Sequence, residues 1–242
     1  MRNSQIIHAI VLRLKFLPLS LFFFYSDVNA QVRERIVVKA GEDISSLLTS
    51  HGVYRFQEFK RAVVKFKDGG TSKALMNYNV VLNDMQFVSP KGDTLILTDK
   101  EQIDSIIIDT DVFYYQKGFL QVISDNNESK LVMQQTNSFQ YLKKAAMGRP
   151  DPTANVLSYD RVPTLYTIDN VLKLNEDVVL IKETNYTLTY KKYKQTTANN
   201  SGFIKAFPEK KNEIESFVST NKIDFRNEED LKKLFAFCTK HS

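Results

Sequence analysis

The stretch from about Val53 to Tyr141 is a series of short apolar segments, each closed by turn residues, and that pattern restricts the chain to a sheet. Ala62-Val-Val-Lys-Phe-Lys67 runs into Asp68-Gly69-Gly70, where glycine supplies the positive φ angles of a tight hairpin. From Lys73 to Val81, residues Ala74, Met76, Tyr78 and Val80 share one face at period two. Further strands are predicted at Met85–Val88, Thr94–Leu97, Ser105–Ile108, Val112–Tyr115, Phe119–Ile123 and Leu131–Gln135. Between them lie Asn83-Asp84, Pro90-Lys-Gly92, Lys117-Gly118 and Asp125-Asn-Asn127, all strong turn chemistry. The spacing predicts an antiparallel meander whose strands share one sheet, because isolated two-stranded pieces are marginal in water.

The rest of the chain changes character in steps. Residues 31–50 form a lead-in, in which Glu42 to Leu48 suits a short helix with acids near its start. Gly148 to Pro163 holds three prolines and is predicted to be an exposed loop, while residues 177–193 return to strand. Gln195 to Gly202 is polar and is expected to be a mobile connection. Pro208 suits a first helical position, and Ile214, Phe217 and Val218 then recur at helical spacing. Asn227-Glu-Glu-Asp230 caps a second helix carrying Leu231, Leu234, Phe235 and Cys238 on one face. The expected fold class is α+β: mainly an antiparallel β meander or curved sheet with a C-terminal pair of short α-helices. The expected division is 1–30 signal peptide, 31–206 β-rich domain and 207–242 helical hairpin packed on the sheet.

The signal-peptide assignment rests on residue order. Arg2, Arg13 and Lys15 precede the apolar run Phe16–Tyr25, and Val28-x-Ala30 places small residues where signal peptidase cuts. The run is ten residues, about half of what a membrane-crossing helix needs. The competing interpretation, a short anchor reaching back to Ile6, would bury Arg13 and Lys15 at heavy cost. No cysteine follows the run, so lipid attachment there is excluded. Removing residues 1–30 takes away three basic residues and one acidic residue. The 33 basic and 28 acidic residues become 30 and 27, and the net charge falls from +5 to +3.

Composition narrows the chemistry. One cysteine (Cys238), three histidines (His8, His51, His241) and no tryptophan exclude a disulfide framework and a cysteine-rich zinc site. Cys238 reads as a small buried hydrophobe on a helix face. Gly-x-Ser-x-Gly is absent, and Gly69-Gly70 lacks the Lys-Ser/Thr of a phosphate loop. Carboxylates are the best catalytic candidates. Residues 93–128 carry eight acidic and two basic residues, a local charge of −6. Asp109 and Asp111 would stand on one side of a strand, about 6.6 Å apart at Cα, within the range a glycosidase pair uses. The same two residues suit a hairpin turn, which is the favoured interpretation. A calcium loop fails at Phe113, where the next oxygen ligand would stand, and Asp125-Asn-Asn-Glu128 has no glycine for the sharp turn. Neither a cofactor nor a dedicated metal site is expected.

Tyr186, Tyr190, Lys191, Lys192, Tyr193 and Lys194 interleave rings and cations. With export, nucleic acid drops out as a partner, and Tyr190, Lys191 and Tyr193 become the candidate ligand-binding residues for an envelope protein or glycan. The competing interpretation is a half-buried strand with tyrosines in the core and lysines guarding an edge. The runs Val64-x-Phe66-x-Asp68-Gly69, Ala74-Leu-Met-Asn-Tyr-Asn79, Met85-Gln-Phe-Val88 and Lys91-Gly-Asp-Thr-Leu95 resemble exported proteins of Bacteroidetes bacteria. The ending from Ile214 to Leu234, with Asn221-Lys-Ile-Asp-Phe225, does so too. That family is uncharacterised and has no assigned catalytic residues, so the resemblance implies a periplasmic or surface address and no activity. The expected function is a non-catalytic envelope protein that binds or scaffolds. The alternatives are a carboxylate-dependent hydrolase using Asp109 and Asp111, or a carrier of an apolar ligand in a curved sheet. N-terminal sequencing of the protein recovered from the cell envelope should begin at Gln31; a first residue of Met1 would return the N-terminus to an anchor.

Overall fold

The computed structural model describes residues 30–39, 52–141, 177–191 and 194–240. Their strands are β1 (Gln31–Val38), β2 (Lys60–Phe66), β3 (Thr71–Asn79), β4 (Asp84–Val88), β5 (Thr94–Ile96) and β6 (Ile103–Ile108). They continue with β7 (Asp111–Tyr115), β8 (Phe119–Asp125), β9 (Ser129–Tyr141), β10 (Val178–Tyr190) and β11 (Lys194–Thr197). All join one open, curved antiparallel sheet in the order β1-β10-β9-β8-β7-β6-β2-β3-β4-β5, with β11 beside the second half of β10. The predicted sheet is present, but its path is not a simple meander. After β5 a 3₁₀ turn at Lys100–Gln102 brings β6 back to pair with β2, so β2 to β5 form a flap extending the sheet. The helix suggested at Glu42–Leu48 and the proline loop at Gly148–Pro163 lie outside the described residues.

β9 and β10 form the longest ladder, thirteen residues from Ser129↔Tyr190 to Tyr141↔Val178. Apolar alternation marks only Leu131–Gln135 as strand, because beyond Met133 the residues turn polar: Gln134, Gln135, Thr136, Asn137, Ser138. Ladder hydrogen bonds carry the strand through this polar stretch to Phe139, which is fully buried. β8 pairs β9 only as far as Gln121↔Met133, which leaves the upper half of β9 with an open edge. The corner after β3 fills it. Val80 C=O accepts from Asn137 N–H at 2.9 Å, Val80 N–H donates to Val53 C=O, and the Asn137 side-chain amide donates to Gly52 C=O. Tyr78 Oη reaches Asn83 Oδ1 and the Gln135 carbonyl. The flap therefore curls back over the sheet, and one face becomes concave.

Both apolar cores lie on that face. The flap core joins Val64, Met76, Met85, Ile106, Phe113 and Phe119, all essentially buried. The second core joins Leu131, Met133, Tyr186 and Leu188 of the sheet to three helices: α1 (Asn200–Ala206), α2 (Lys211–Asn221) and α3 (Glu228–Thr239). α3 forms as predicted: the Asn227 side chain accepts from Asp230 N–H, three acids occupy its first turn, and Leu231, Leu234, Phe235 and Cys238 are buried. Each such large apolar side chain contributes roughly 1.5–3 kcal/mol by leaving water.

Residues 195–202 depart from the expected mobile connection. They form β11 and the start of α1, so the helical layer has three helices and not two. The cause is local. β10 offers unpaired backbone at Thr187–Tyr190, and Lys194–Thr197 satisfies it. The Asn199 side chain then caps α1 by accepting from Gly202 N–H at 2.9 Å, while Ala198 and Phe203 are fully buried. Gly202 is obligatory there, since a Cβ would stand 1.7 Å from the Thr197 carbonyl oxygen. Gly202→Ala should cost about 2 kcal/mol or more, a melting-point drop of roughly 4–8 °C for a domain of this size. An unchanged midpoint in a thermal melt would show that β11 and α1 do not pack as described.

Candidate functional site

Two features of the concave face and one of the turn after β10 bear on function. The first is a polar bridge between the two cores. Gln121 is buried, and alternation along β8 places it on the same face as Phe119. Its amide Nε2 donates to Asp111 Oδ1 at 2.8 Å, and its Oε1 accepts from Arg55 Nε at 3.3 Å. A buried amide with both ends engaged loses little by desolvation, whereas leaving either end unpaired would cost about 1–3 kcal/mol. Asp111 therefore has a structural partner. Asp109 is the first residue of the two-residue β6–β7 turn, at φ 53°, and its Oδ2 accepts from Lys60 Nζ at 2.7 Å. That lysine also stands 4.9 Å from the centre of the Phe56 ring. The two carboxylates are not consecutive alternate positions of one strand: one is in a left-handed turn and the other opens β7. Lys60's ammonium is held above its ordinary range, chiefly by the hydrogen bond to Asp109.

The tyrosine–lysine segment is divided. Tyr190 is 5 % exposed and sits in the helix–sheet core, so its ring is not displayed for a ligand. Tyr186 is likewise in that core, where burial first and the Glu228 carboxylate second raise its phenol. Lys191 is exposed in the left-handed turn leading to β11, at φ 46°. Tyr193 lies outside the described residues. The arrangement follows from alternation: Tyr186, Leu188 and Tyr190 share the face the helices cover.

The third feature is a groove of about 390 Å³ at the open end of the flap. Small residues make it. Across the β2–β3 pair, Ala62 faces Ala74 and Val64 faces Ser72, so the concave surface lacks bulk near the hairpin end. Phe66, Phe87 and Leu97 wall the space, Met76 lies at its inner end, and Ser89 and Pro90 form a lip. Leu97 is held in place by its N–H, which donates to Met85 C=O at 2.9 Å. Sequence reasoning identified the curved face but missed the groove; the signal was a pair of small residues, Ser72 and Ala74, on an otherwise large-residue face.

No protein-family model matches the chain, and comparison with curated proteins and with solved structures gave no match either. Functional inference therefore rests on the molecule's own chemistry. Cys238 offers none at ordinary pH: it is a free thiol buried under α3, and burial pushes it up to about 12. Tyr54, Tyr78 and Tyr114 are also raised, again mainly by burial. The sign of the linkage follows. These groups ionise in the unfolded chain near their ordinary values of 9.0 and 10.0 and later in the folded one, so stability holds at neutral pH and falls as pH rises. Thermal midpoints should be flat from about pH 7 to 8 and decline above about pH 9. In the same buffers an aromatic-disulfide thiol reagent should leave Cys238 untouched at pH 8 until denaturant is added; fast native-state labelling would contradict the burial.

Proposed function

We propose that the protein is an exported, non-catalytic binding protein of the cell envelope, and that its ligand is an apolar chain held in the groove beneath β2, β3 and β4. The groove is the observation that carries this reading. Its volume of about 390 Å³ falls in the range of small-molecule sites, which are mostly apolar clefts with a few polar groups at the mouth. Here Val64, Phe66, Met76, Phe87 and Leu97 supply apolar surface, while Ser72 and Ser89 supply hydroxyls. Such a cleft fits a flexible apolar tail with a polar end left toward water. The two carboxylates singled out as catalytic candidates are engaged elsewhere: Asp109 with Lys60, Asp111 with Gln121. The export signal and the resemblance to envelope proteins support the address, and an apolar tail is a ligand that an envelope offers.

Two measurements test this. Native mass spectrometry of the purified protein should find a co-purified apolar molecule, or uptake of an added fluorescent long-chain fatty acid at one site per chain. Ala74→Phe, which fills the groove from β3, should weaken that uptake roughly tenfold or more by excluding the tail. Its circular dichroism should match wild type, because Ala74 is half-buried at the groove wall. Equal uptake by a folded Ala74→Phe protein would remove the groove from the function.

A further inference from the structure

The reverse side of the same hairpin carries a second surface. β2 and β3 hold four cations, Lys60, Arg61, Lys65 and Lys73, and no carboxylate. Lys60 points to the concave side, where it meets Asp109. Arg61, Lys65 and Lys73 occupy the opposite parity and are exposed on the convex side. None of these three makes an ion pair among the described residues. Apolar side chains interleave with them in a checkerboard: Arg61 pairs across to Leu75, and Val63 pairs across to Lys73. Leu75 is 44 % exposed, and Ile96 of β5 is 45 % exposed. A shallow depression of about 710 Å³ follows this checkerboard. Asp104 of the neighbouring β6 is exposed and accepts a hydrogen bond from Ser105, which leaves its negative charge in place.

We infer that this convex face docks on a membrane surface rich in anionic headgroups. Charge complementarity favours that partner over another protein. Protein interfaces put a desolvated apolar patch at the centre, where lysine and the acidic residues are depleted. Here cations stand between the apolar side chains, the pattern suited to a plane where phosphates and acyl chains meet. Lys and Arg stems lie along apolar surface while their heads reach phosphate, and Leu75 and Ile96 can enter the boundary between headgroup and chain. Each cation close to such a surface adds to the attraction, so three together give a measurable, salt-sensitive attachment. The inference rests on the charges and exposed side chains of this face and not on a ligand in the groove, although Lys73 and Leu75 also border the groove.

Sedimentation with vesicles tests it. Vesicles of phosphatidylethanolamine and phosphatidylglycerol should carry down the full chain, and pure phosphatidylcholine vesicles should carry down far less. Raising salt from roughly 50 to 500 mM should release the bound fraction. The variant Arg61→Glu/Lys65→Glu/Lys73→Glu should lose binding by roughly tenfold or more, and Leu75→Ser by a smaller factor. Lys211→Glu, at the exposed start of α2 and away from the flap, should bind as wild type. All variants share one N-terminus, so the apolar run at 16–25 contributes equally to each. Matching melting curves establish that the charge variant folds, and Leu75→Ser repeats the test with the charges intact. Equal binding by the charge-reversal and wild-type proteins would overturn the assignment. So would equal binding to neutral vesicles, or capture by soluble heparin with none by anionic vesicles, which would make the partner a soluble polyanion.

Discussion

The architecture depends on how the open edge of β9 is satisfied. β8 is too short to pair the upper half of β9, and an open row of backbone groups is both costly when buried and hazardous when exposed. The corner after β3 supplies the missing partner through Val80, which joins Asn137 on one side and Val53 on the other. Closing that gap bends the sheet. A sheet of this many strands must twist, curl or split; this one curls, and the curl gives it an inside. Tyr78 reinforces the bend from within: its ring packs 5.9 Å from Phe113, and its hydroxyl reaches Asn83 and the Gln135 carbonyl. Gly118 is set by the same junction. Its φ of +143° and the side chains of Gln134 and Asn83, within 3 Å of where a Cβ would be, leave room only for glycine.

Two cores on one face create a seam, and the seam explains the polar residues. Flap and helices each cover part of the concave surface, and Gln121 is buried between them. Arg55 and Asp111 close over it from opposite ends of the amide. Asp111, attractive as a catalytic candidate by type and spacing, is a seam residue. Asp109 is a turn residue whose left-handed φ suits aspartate. Their closeness in sequence reflects a two-residue hairpin.

Much of the sheet was legible because turn chemistry is local. Asp68-Gly69-Gly70, Asn83-Asp84, Lys117-Gly118 and Asp125-Asn-Asn127 all fall at observed strand ends. α3 was legible for the same reason, as cap and apolar stripe are neighbours in sequence. What escaped was everything decided at long range. β1 was hidden because Arg33, Glu34 and Arg35 break apolar alternation, yet β10 gives it an eight-residue ladder from Gln31 to Val38. The polar half of β9 was hidden because its partner is a corner more than fifty residues away. β11 and α1 were hidden because their polar sequence says nothing of the open stretch of β10 they complete. Tyr190 could point either way until the helices were placed. The groove was the hardest to foresee: it consists of what Ser72 and Ala74 lack.

The hairpin β2–β3 joins the two proposed surfaces through ordinary strand geometry. Strand alternation puts even-numbered Val64, Ala74 and Met76 on the inner face, where they line the groove, and odd-numbered Arg61, Val63, Lys65, Lys73 and Leu75 on the other. A single register thus fixes both, and a one-residue slip would exchange them. The hairpin end, where β2 turns to β3 at Asp68-Gly69-Gly70, is also where the groove is least filled. With the convex face against a headgroup plane, that mouth lies within one sheet thickness of the lipid. An apolar tail moving between bilayer and groove would then cross little water. The modest net charge of the whole chain conceals this arrangement, because the −6 stretch at residues 93–128 offsets cations gathered on the flap. Charge placed by strand parity, more than charge summed over the chain, decides which side of such a sheet meets an anionic partner.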